Sequence, residues 1–509
     1  MSKYITTTGK YCNLNRLKYS AIGTLIFFLA ANGFIMFNFI PQHDSLNYIA
    51  NFSGNWEISL GRFLQSSYSY FRGDLPVPVL IGIISMLCLT IITYMLTDLF
   101  DIHRPVYIIL AAAILSANIT QTEILSSFIY VEDVCMAAAM LACMSIYILN
   151  KTETKNGKLI AVILLILSLG LYQAFIATAA TLAILVAMKN ILIKRNNNKE
   201  IFRKLLLHAA VLAAAGICYF LIKKIAMNIR GVSEAGDYHS LLNILHDLKS
   251  IPSRLFVNYG SKISMFFIRK EMNLGRIGNC LLLVTAVILI HRIFQKQNIE
   301  LKTRVIFMIL FVLSTLTALM VNIGAGMVAY RLSFAIFLYY IFFISLLEIQ
   351  VQTPEPENHH VIFSGAACCM LAMVIWSNIV YSNGAYTTQK VIFDRSISLY
   401  TRVLDDLYEV PEYKHNNTPV VLLGDWTFDS YAWNLSKKEY RDLGTFLNTS
   451  VTYPQTVKNL LRYLGEEINL LDSDNIRRDI AETPAAKNMP HFPYKGYIQM
   501  IGDYLIINF

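Results

Sequence analysis

A chain of 509 residues that is 55% hydrophobic and 15% charged, with mean hydropathy +0.48, is too apolar for an ordinary soluble protein and reads as one that crosses a membrane many times. Its formal charge of +9 is scattered over short loops, which suits the positive-inside rule and excludes a nucleic-acid surface. The 8 cysteines lie mostly inside apolar runs with no CxxC or Cys/His spacing, so neither a disulfide framework nor a zinc site is implied.

The first apolar run, 21–40, has no small-residue cleavage site at its end and is expected to remain as an uncleaved anchor. Spans near the ~20 apolar residues that a bilayer needs are expected at 20–40, 77–99, 106–123, 128–150, 205–226, 278–296, 305–323, 329–349 and 361–381. The polar, aromatic-rich stretch 41–76 separates the first two, and its first acid, Asp44, falls four residues after the apolar run ends. A catalytic loop at the membrane surface is the expectation for this stretch.

The apolar segment 159–192 is interrupted by Gly170-Leu171-Tyr172-Gln173 and flanked on both sides by lysines and arginines, from Lys151 to Lys158 and from Lys189 to Lys204. Both flanks favour the cytoplasm, so the segment should enter and return on one side as a re-entrant or tight helical hairpin turning near Tyr172. Lys3, Lys10, Arg16 and Lys18 place the N-terminus inside. Charge parity then puts 41–76, the loop 227–276 and everything after 382 outside. The loop 227–276 carries seven Lys/Arg against that assignment, and 350–360 is acidic although assigned inside.

Within 227–276, the alternation of apolar and basic residues predicts an amphipathic helix pair broken at Pro252, either serving anionic headgroups or resting as a connector on the bilayer. After 384 the composition turns soluble. Helices are predicted at 394–409, 455–463 and 474–481, a buried strand at 418–425, and a hairpin about Gly502-Asp503, which together make a small α/β domain over 382–509.

Four groups of residues carry a resemblance: HDSLNY (43–48), Trp56 followed by Gly61-Arg62-Phe63, GLYQAF (170–175), and the ending MPHFPYKGYIQMIGDYLIINF (489–509). In this order over most of the chain they resemble the GtrII-like family of bacterial glucosyltransferases that modify O-antigen. The resemblance implies an α-helical GT-C-like fold of about nine transmembrane helices over 1–381 with a re-entrant hairpin, and a C-terminal periplasmic α/β domain. It also implies a bacterial inner membrane location, an undecaprenyl-phosphate glucose donor, an O-antigen or other glycan acceptor, and cooperation with a flippase and a donor-making synthase. The activity implied is inverting hexosyl transfer at the periplasmic face, with no cofactor and the metal requirement open. Another GT-C transferase, a polymerase or a flippase is the alternative; the chain shows none of the matched halves common in transporters.

Transfer from a sugar phosphate needs a base for the acceptor hydroxyl and cations or donors for the departing phosphate. Asp44 is the expected base, with a helix N-cap as its ordinary alternative. Asp133 and then Glu132 are the second choices, either of which could instead pair with an arginine. Arg62 is the expected phosphate partner, with Arg72 and Arg331 as weaker ones; a snorkelling arginine is the competing role. Trp56 and Tyr68 are candidates for stacking on sugar, against the commoner role of interfacial belt aromatics. Glu123, Tyr172 and Gln173 complete the expected sugar and acceptor contacts, Tyr172 and Gln173 also standing as the residues that hold the hairpin break open.

Overall fold

The computed structural model describes residues 13–51, 54–193, 197–235, 248–268, 272–326, 328–351, 357–415, 417–426 and 452–509. Its helices run in chain order as α1 (Leu14–Phe37), α2 (His43–Asn51), α3 (Asn55–Ser59), α4 (Gln65–Phe71), α5 (Pro78–Leu99), α6 (Pro105–Ser116), α7 (Ile119–Ser127), α8 (Glu132–Lys151) and α9 (Lys155–Leu171). There follow α10 (Ile176–Leu192), α11 (Asn198–Arg230), α12 (Ile251–Ile263), α13 (Asn273–Lys296), α14 (Leu301–Ala325), α15 (Leu338–Val351), α16 (Glu357–Tyr408), α17 (Pro454–Tyr463), α18 (Asp474–Ala481) and α19 (Pro484–Lys487). Local chemistry sets many of these ends. Prolines open α5 and α6, the Thr154 and Asn197 side chains cap α9 and α11, and glycines in the left-handed region, Gly231 and Gly326, close α11 and α14.

Among the described residues, 9 helical segments are long and apolar enough to cross a membrane, so the chain is a mostly helical membrane protein with a small sheet near its C-terminus. The membership differs from expectation in two places. Gln173–Leu192 reaches full length, whereas the expected span 329–349 opens with two short 3-10 turns, Tyr330–Leu332 and Phe334–Phe337, and leaves only a shorter apolar helix. The reason is visible at the turn: the backbone N–H groups of Tyr330 and Arg331 donate to the Glu123 carboxylate, at 2.6 and 2.9 Å, instead of entering a helical ladder. A further difference lies at 382–393, where α16 continues unbroken into the helix predicted at 394–409. The change of composition there does not end the helix.

The chain divides into two compact units. The first takes the chain up to Met36, Ser53–Ile124 and Val131–Ser382; the second takes Phe37–Phe52, Leu125–Tyr130 and Asn383–Phe509. The stretch 41–76 is therefore shared: α2 belongs to the second unit, and α3 and α4 to the first.

The two ends of the first unit differ chemically. At one end Arg16 of α1 pairs with Asp98 of α5, and Asp98 also receives Lys151 at 2.6 Å and the Tyr147 hydroxyl at 3.0 Å. Lys189, in the last turn of α10, reaches the Leu99 carbonyl at 2.6 Å and Asp101 at 2.7 Å close by. Since α9 starts just after Lys151 and α10 ends at this same place, the α9–α10 pair leaves and returns at one end and breaks at the other. Its arms are not a tight hairpin, however. α9 packs on α8 and α11, while α10 lies against α14, with every residue from Ala177 to Leu192 buried. Alanines on α10 let neighbouring helices approach on all sides, so the two arms gain more from other helices than from each other.

In the second unit, β1 (Val420–Leu423) runs parallel to β3 (Tyr504–Asn508), and β3 runs antiparallel to β2 (Ile498–Ile501) across the Gly502-Asp503 turn, giving the order β1-β3-β2. Val421, Leu423 and Ile506 of the sheet pack with Ile480, Ala486 and Met489 from α18 and the α19 region. The helix α2 lies against α17, with Asn459 donating to Asn47 at 3.4 Å and the Tyr48 and Tyr130 rings stacked at 4.4 Å.

Candidate active site

At the end of the first unit opposite Lys151, two of the motifs that are far apart in sequence are fastened together. The turn 60–64 follows α3 and needs Gly61 at φ +84°, and it lies on the break between α9 and α10. Leu64 N–H donates to the Gly170 carbonyl at 2.9 Å, and the Gln173 amide donates to the Leu60 carbonyl at 2.7 Å and to the Tyr219 hydroxyl of α11 at 2.9 Å. Tyr219 in turn donates to the Gly61 carbonyl at 3.1 Å, and its ring stacks on Phe63 at 5.9 Å. Tyr172, extended at φ −157°, breaks the helix, and the Arg62 guanidinium lies over its ring at 4.4 Å.

Close packing makes one glycine necessary. A Cβ at Gly170 would come within 2.8 Å of two Phe63 ring carbons, whereas one at Gly33 would meet nothing within 4 Å. Gly170→Ala is therefore expected to destabilise by about 1–3 kcal/mol through overpacking, with Gly33→Ala close to neutral. Thermal melts of the two variants in detergent check this.

The first turn of α8 brings two adjacent acids to the same end with different fates. Asp133 is ion-paired with Arg72, the residue that ends α4, and both side chains are essentially inaccessible, at 0% and 1% exposure. Asp133 also accepts from its neighbour's N–H at 3.0 Å and from the Tyr68 hydroxyl. Burial first, and then the Asp133 charge, push the Tyr68 phenol well above its ordinary range, so Tyr68 stays a donor. Glu132, by contrast, is fully buried, and neither of its carboxylate oxygens has a hydrogen-bond partner among the described residues.

The third expected acid, Glu123 of α7, spends both oxygens on holding the 330–331 turn: one takes Arg331 Nη1 at 2.6 Å and the other the two backbone N–H groups already described. Thr120 adds a bond to the Tyr330 carbonyl at 2.7 Å. The charges of Glu132, Asp133, Arg62 and Arg331 all act on the Cys135 thiol, and those of Arg62, Arg331 and Glu123 on the Tyr172 hydroxyl, which places them in one neighbourhood.

Two of the expected arginines are thus committed to acids, Arg72 to Asp133 and Arg331 to Glu123. Arg62 has no acid within ion-pair distance among the described residues, and its Nε is buried without a hydrogen bond. Trp56 is half exposed. Asp44 lies in the second unit, in the first turn of α2, where a carboxylate meets the positive end of the helix; the N-terminal flank is Gln42, whose carbonyl accepts from Leu46 N–H at 2.8 Å, so Asp44 is inside the helix and not its N-cap.

Sequence reasoning missed three participants. Tyr219 sits in an apolar span with no mark to separate it from lipid-facing aromatics. Glu57, buried in α3 beside the Gly61 turn, is driven up in pKa by burial, against its own backbone and Arg62; its signal was a lone acid between Trp56 and Ile58. Lys262 is the third.

Fold and site together define a polytopic membrane protein with a charged, water-excluding cluster at one end of its helices. The chain belongs to the family described as Glucosyl transferase GtrII, whose model matches residues 33–348, and so is a glucosyltransferase of the kind that modifies O-antigen. The match takes in α2, the 54–73 segment, the start of α8, the α9–α10 break and the 330–331 turn, and it ends before the sheet. Comparison with curated proteins and with solved structures finds no match.

Proposed function

We propose that the protein moves a glucosyl group from a polyprenyl-phosphate donor to a glycan of O-antigen or lipopolysaccharide, with inversion, at the periplasmic face of the bacterial inner membrane. The donor class follows from chemistry. Nucleotide sugars are not available on that face, so the sugar has to arrive on a lipid, and a leaving phosphate needs cations but no acid. The observation that carries the reading is the uneven pairing of the site. Among the described residues, Glu132 is a buried carboxylate with no hydrogen-bond partner and Arg62 is a guanidinium in no ion pair, within one cluster of a chain of glucosyltransferase family. Glu132 is then the base that takes the acceptor proton, and Arg62 grips the departing phosphate through its donor fork. Asp133, Arg72 and Tyr68 hold the loop against α8; Tyr172 and Gln173 seat Arg62; and Glu123 with Arg331 shapes the turn beside them.

A second reading keeps Asp44 as the base, favoured by its place in the first turn of the helix directly after the first span. Transfer from radiolabelled polyprenyl-phosphate glucose to O-antigen, in membranes carrying the wild type, Glu132→Gln or Asp44→Asn, decides between them. Loss with Glu132→Gln and retention with Asp44→Asn supports the first reading, and the reverse pattern the second. No transfer from any polyprenyl-phosphate hexose by the wild type removes the donor assignment. Orientation is tested separately: an alkaline phosphatase fusion near residue ~390 is expected to be active, because the basic ends at Arg16, Lys151 and Lys189 belong in the cytoplasm. An inactive fusion reverses the placement.

A further inference from the structure

The helix α12 is built inside out. Its outward face carries Phe256 at 81%, Val257 at 53% and Ile263 at 51% exposure, while Asn258 and Lys262 are buried at 2% and 5%. On a chain that crosses a membrane, an apolar face turned outward is suited to lipid, as in a helix lying in the interface. Arg254, Asn258 and Lys262 recur every four residues, so they form one stripe on the inward face. That stripe lies along the end of α14 and the Ala329–Tyr330 segment. Arg254 reaches the Ile323 and Gly324 carbonyls at 3.5 and 3.4 Å, and Lys262 reaches the Ala329 carbonyl at 3.4 Å and stands 4.1 Å over the Tyr330 ring.

For a buried ammonium this is a poor set of partners. Lys262 has one long hydrogen bond, an aromatic face and no ion-paired acid among the described residues, because the Glu123 oxygens are already taken by Arg331 and two backbone N–H groups. The Asn258 amide oxygen, one turn away, is also buried, with no hydrogen-bond partner among the described residues. Burying an uncompensated cation is expensive, and a helix that does so on its protein-facing side is built to meet an anion.

We propose that Lys262, supported by Asn258 and Arg254 on the same helical face, receives the phosphate of the lipid-linked donor. This rests on the transferase reading above and names a cation that the reading did not include. The lipid-facing side of α12 explains how the ligand arrives: the tail stays in the bilayer beside Phe256 and Val257 while the phosphate turns inward to the stripe. Burial lowers the Lys262 ammonium to about 8, with the Glu123 charge acting the other way, so the cation that binds the anion is lost as pH rises through that value. The Glu123 charge acts on it and the Tyr330 ring lies beneath it, with Arg254 two turns away on the same helical face.

The test is equilibrium binding of radiolabelled undecaprenyl phosphate to the full chain in nanodiscs. Lys262→Met is expected to weaken binding at least about tenfold, and Lys262→Arg to keep it within about threefold while removing the decline that the wild type shows above pH ~8. Neither phosphatidylglycerol nor inorganic phosphate should displace the probe as well as unlabelled undecaprenyl phosphate does. Wild-type affinity in Lys262→Met overturns the proposal, and so does equal displacement by either competitor, which would make the stripe a site for bulk anionic lipid or free phosphate. If Lys262→Met does not fold, Asn258→Asp keeps the lysine and sets a carboxylate one turn from it; affinity should fall about tenfold with the melting temperature held, and unchanged affinity overturns the proposal. Failure of the wild type to transfer glucose would remove the reaction but leave a Lys262-dependent binding result standing. A Lys262→Met chain that binds and transfers as the wild type does would remove the stripe and leave the reaction.

Discussion

Glu132→Gln is expected to lower the rate of glucosyl transfer by about 10²–10⁴-fold at saturating donor, the range a positioned general base contributes. The substitution keeps the size and shape of the side chain. It also breaks no hydrogen bond among the described residues, because neither oxygen of Glu132 has one. Stability should therefore change by no more than about 1 kcal/mol, which separates a chemical loss from a folding loss. KM for the donor should stay near the wild-type value, since the base acts on the acceptor and its removal takes away an interaction made in the transition state. Asp133→Asn is the instructive neighbour. It removes a charge that Arg72 and Tyr68 already use, so its expected effect falls first on stability and only through the loop on rate. Single-turnover transfer by purified chains, read beside their melting temperatures, gives both quantities. A Glu132→Gln chain that transfers at the wild-type rate would eliminate this residue as the base.

Periodicity and turn chemistry made much of the second unit legible. Gly502-Asp503 joins two strands, and 474–481 is a helix with the boundaries the pattern gives. The helix break at Tyr172 was also legible, because both flanks of 159–192 are basic. Apolar pattern alone did not tell which way a face turns. The 251–263 segment has the same alternation whichever side packs on protein, and only the burial of Asn258 and Lys262 shows that the polar side does, with the apolar side turned outward. Nor does pattern report pairings across the chain. Arg72 and Asp133 are 61 residues apart, and Glu123 and Arg331 are 208 apart, so the sequence could propose each charge as a ligand contact without showing that it is spent on another side chain. Residue type located the charged end of the fold; the partners decide which charges remain for a ligand.

The Arg72–Asp133 pair should give the largest effect on stability. Arg72→Met leaves the Asp133 carboxylate buried at 0% exposure without its cation, and Asp133→Leu leaves the guanidinium at 1% exposure without its anion. Removing one member of such a pair costs about 3–5 kcal/mol, because the survivor keeps its desolvation penalty and loses the attraction that offset it. The double variant removes both penalties and is expected to recover most of the loss, so the coupling in a double-mutant cycle should exceed about 3 kcal/mol. Denaturation in mixed micelles measures the four stabilities; single variants within about 1 kcal/mol of the wild type would mean that the pair is not held buried in the folded chain. Transfer should not recover along with stability. Tyr68 donates to Asp133, and Arg72 ends the helix that begins just after the Gly61–Leu64 turn, so an apolar contact restores the packing of α4 on α8 without restoring the polar anchor that orients that turn. Arg62 depends on that orientation to face the departing phosphate, and a stable but slow double variant would show that the ion pair serves the geometry of the loop more than the stability of the fold.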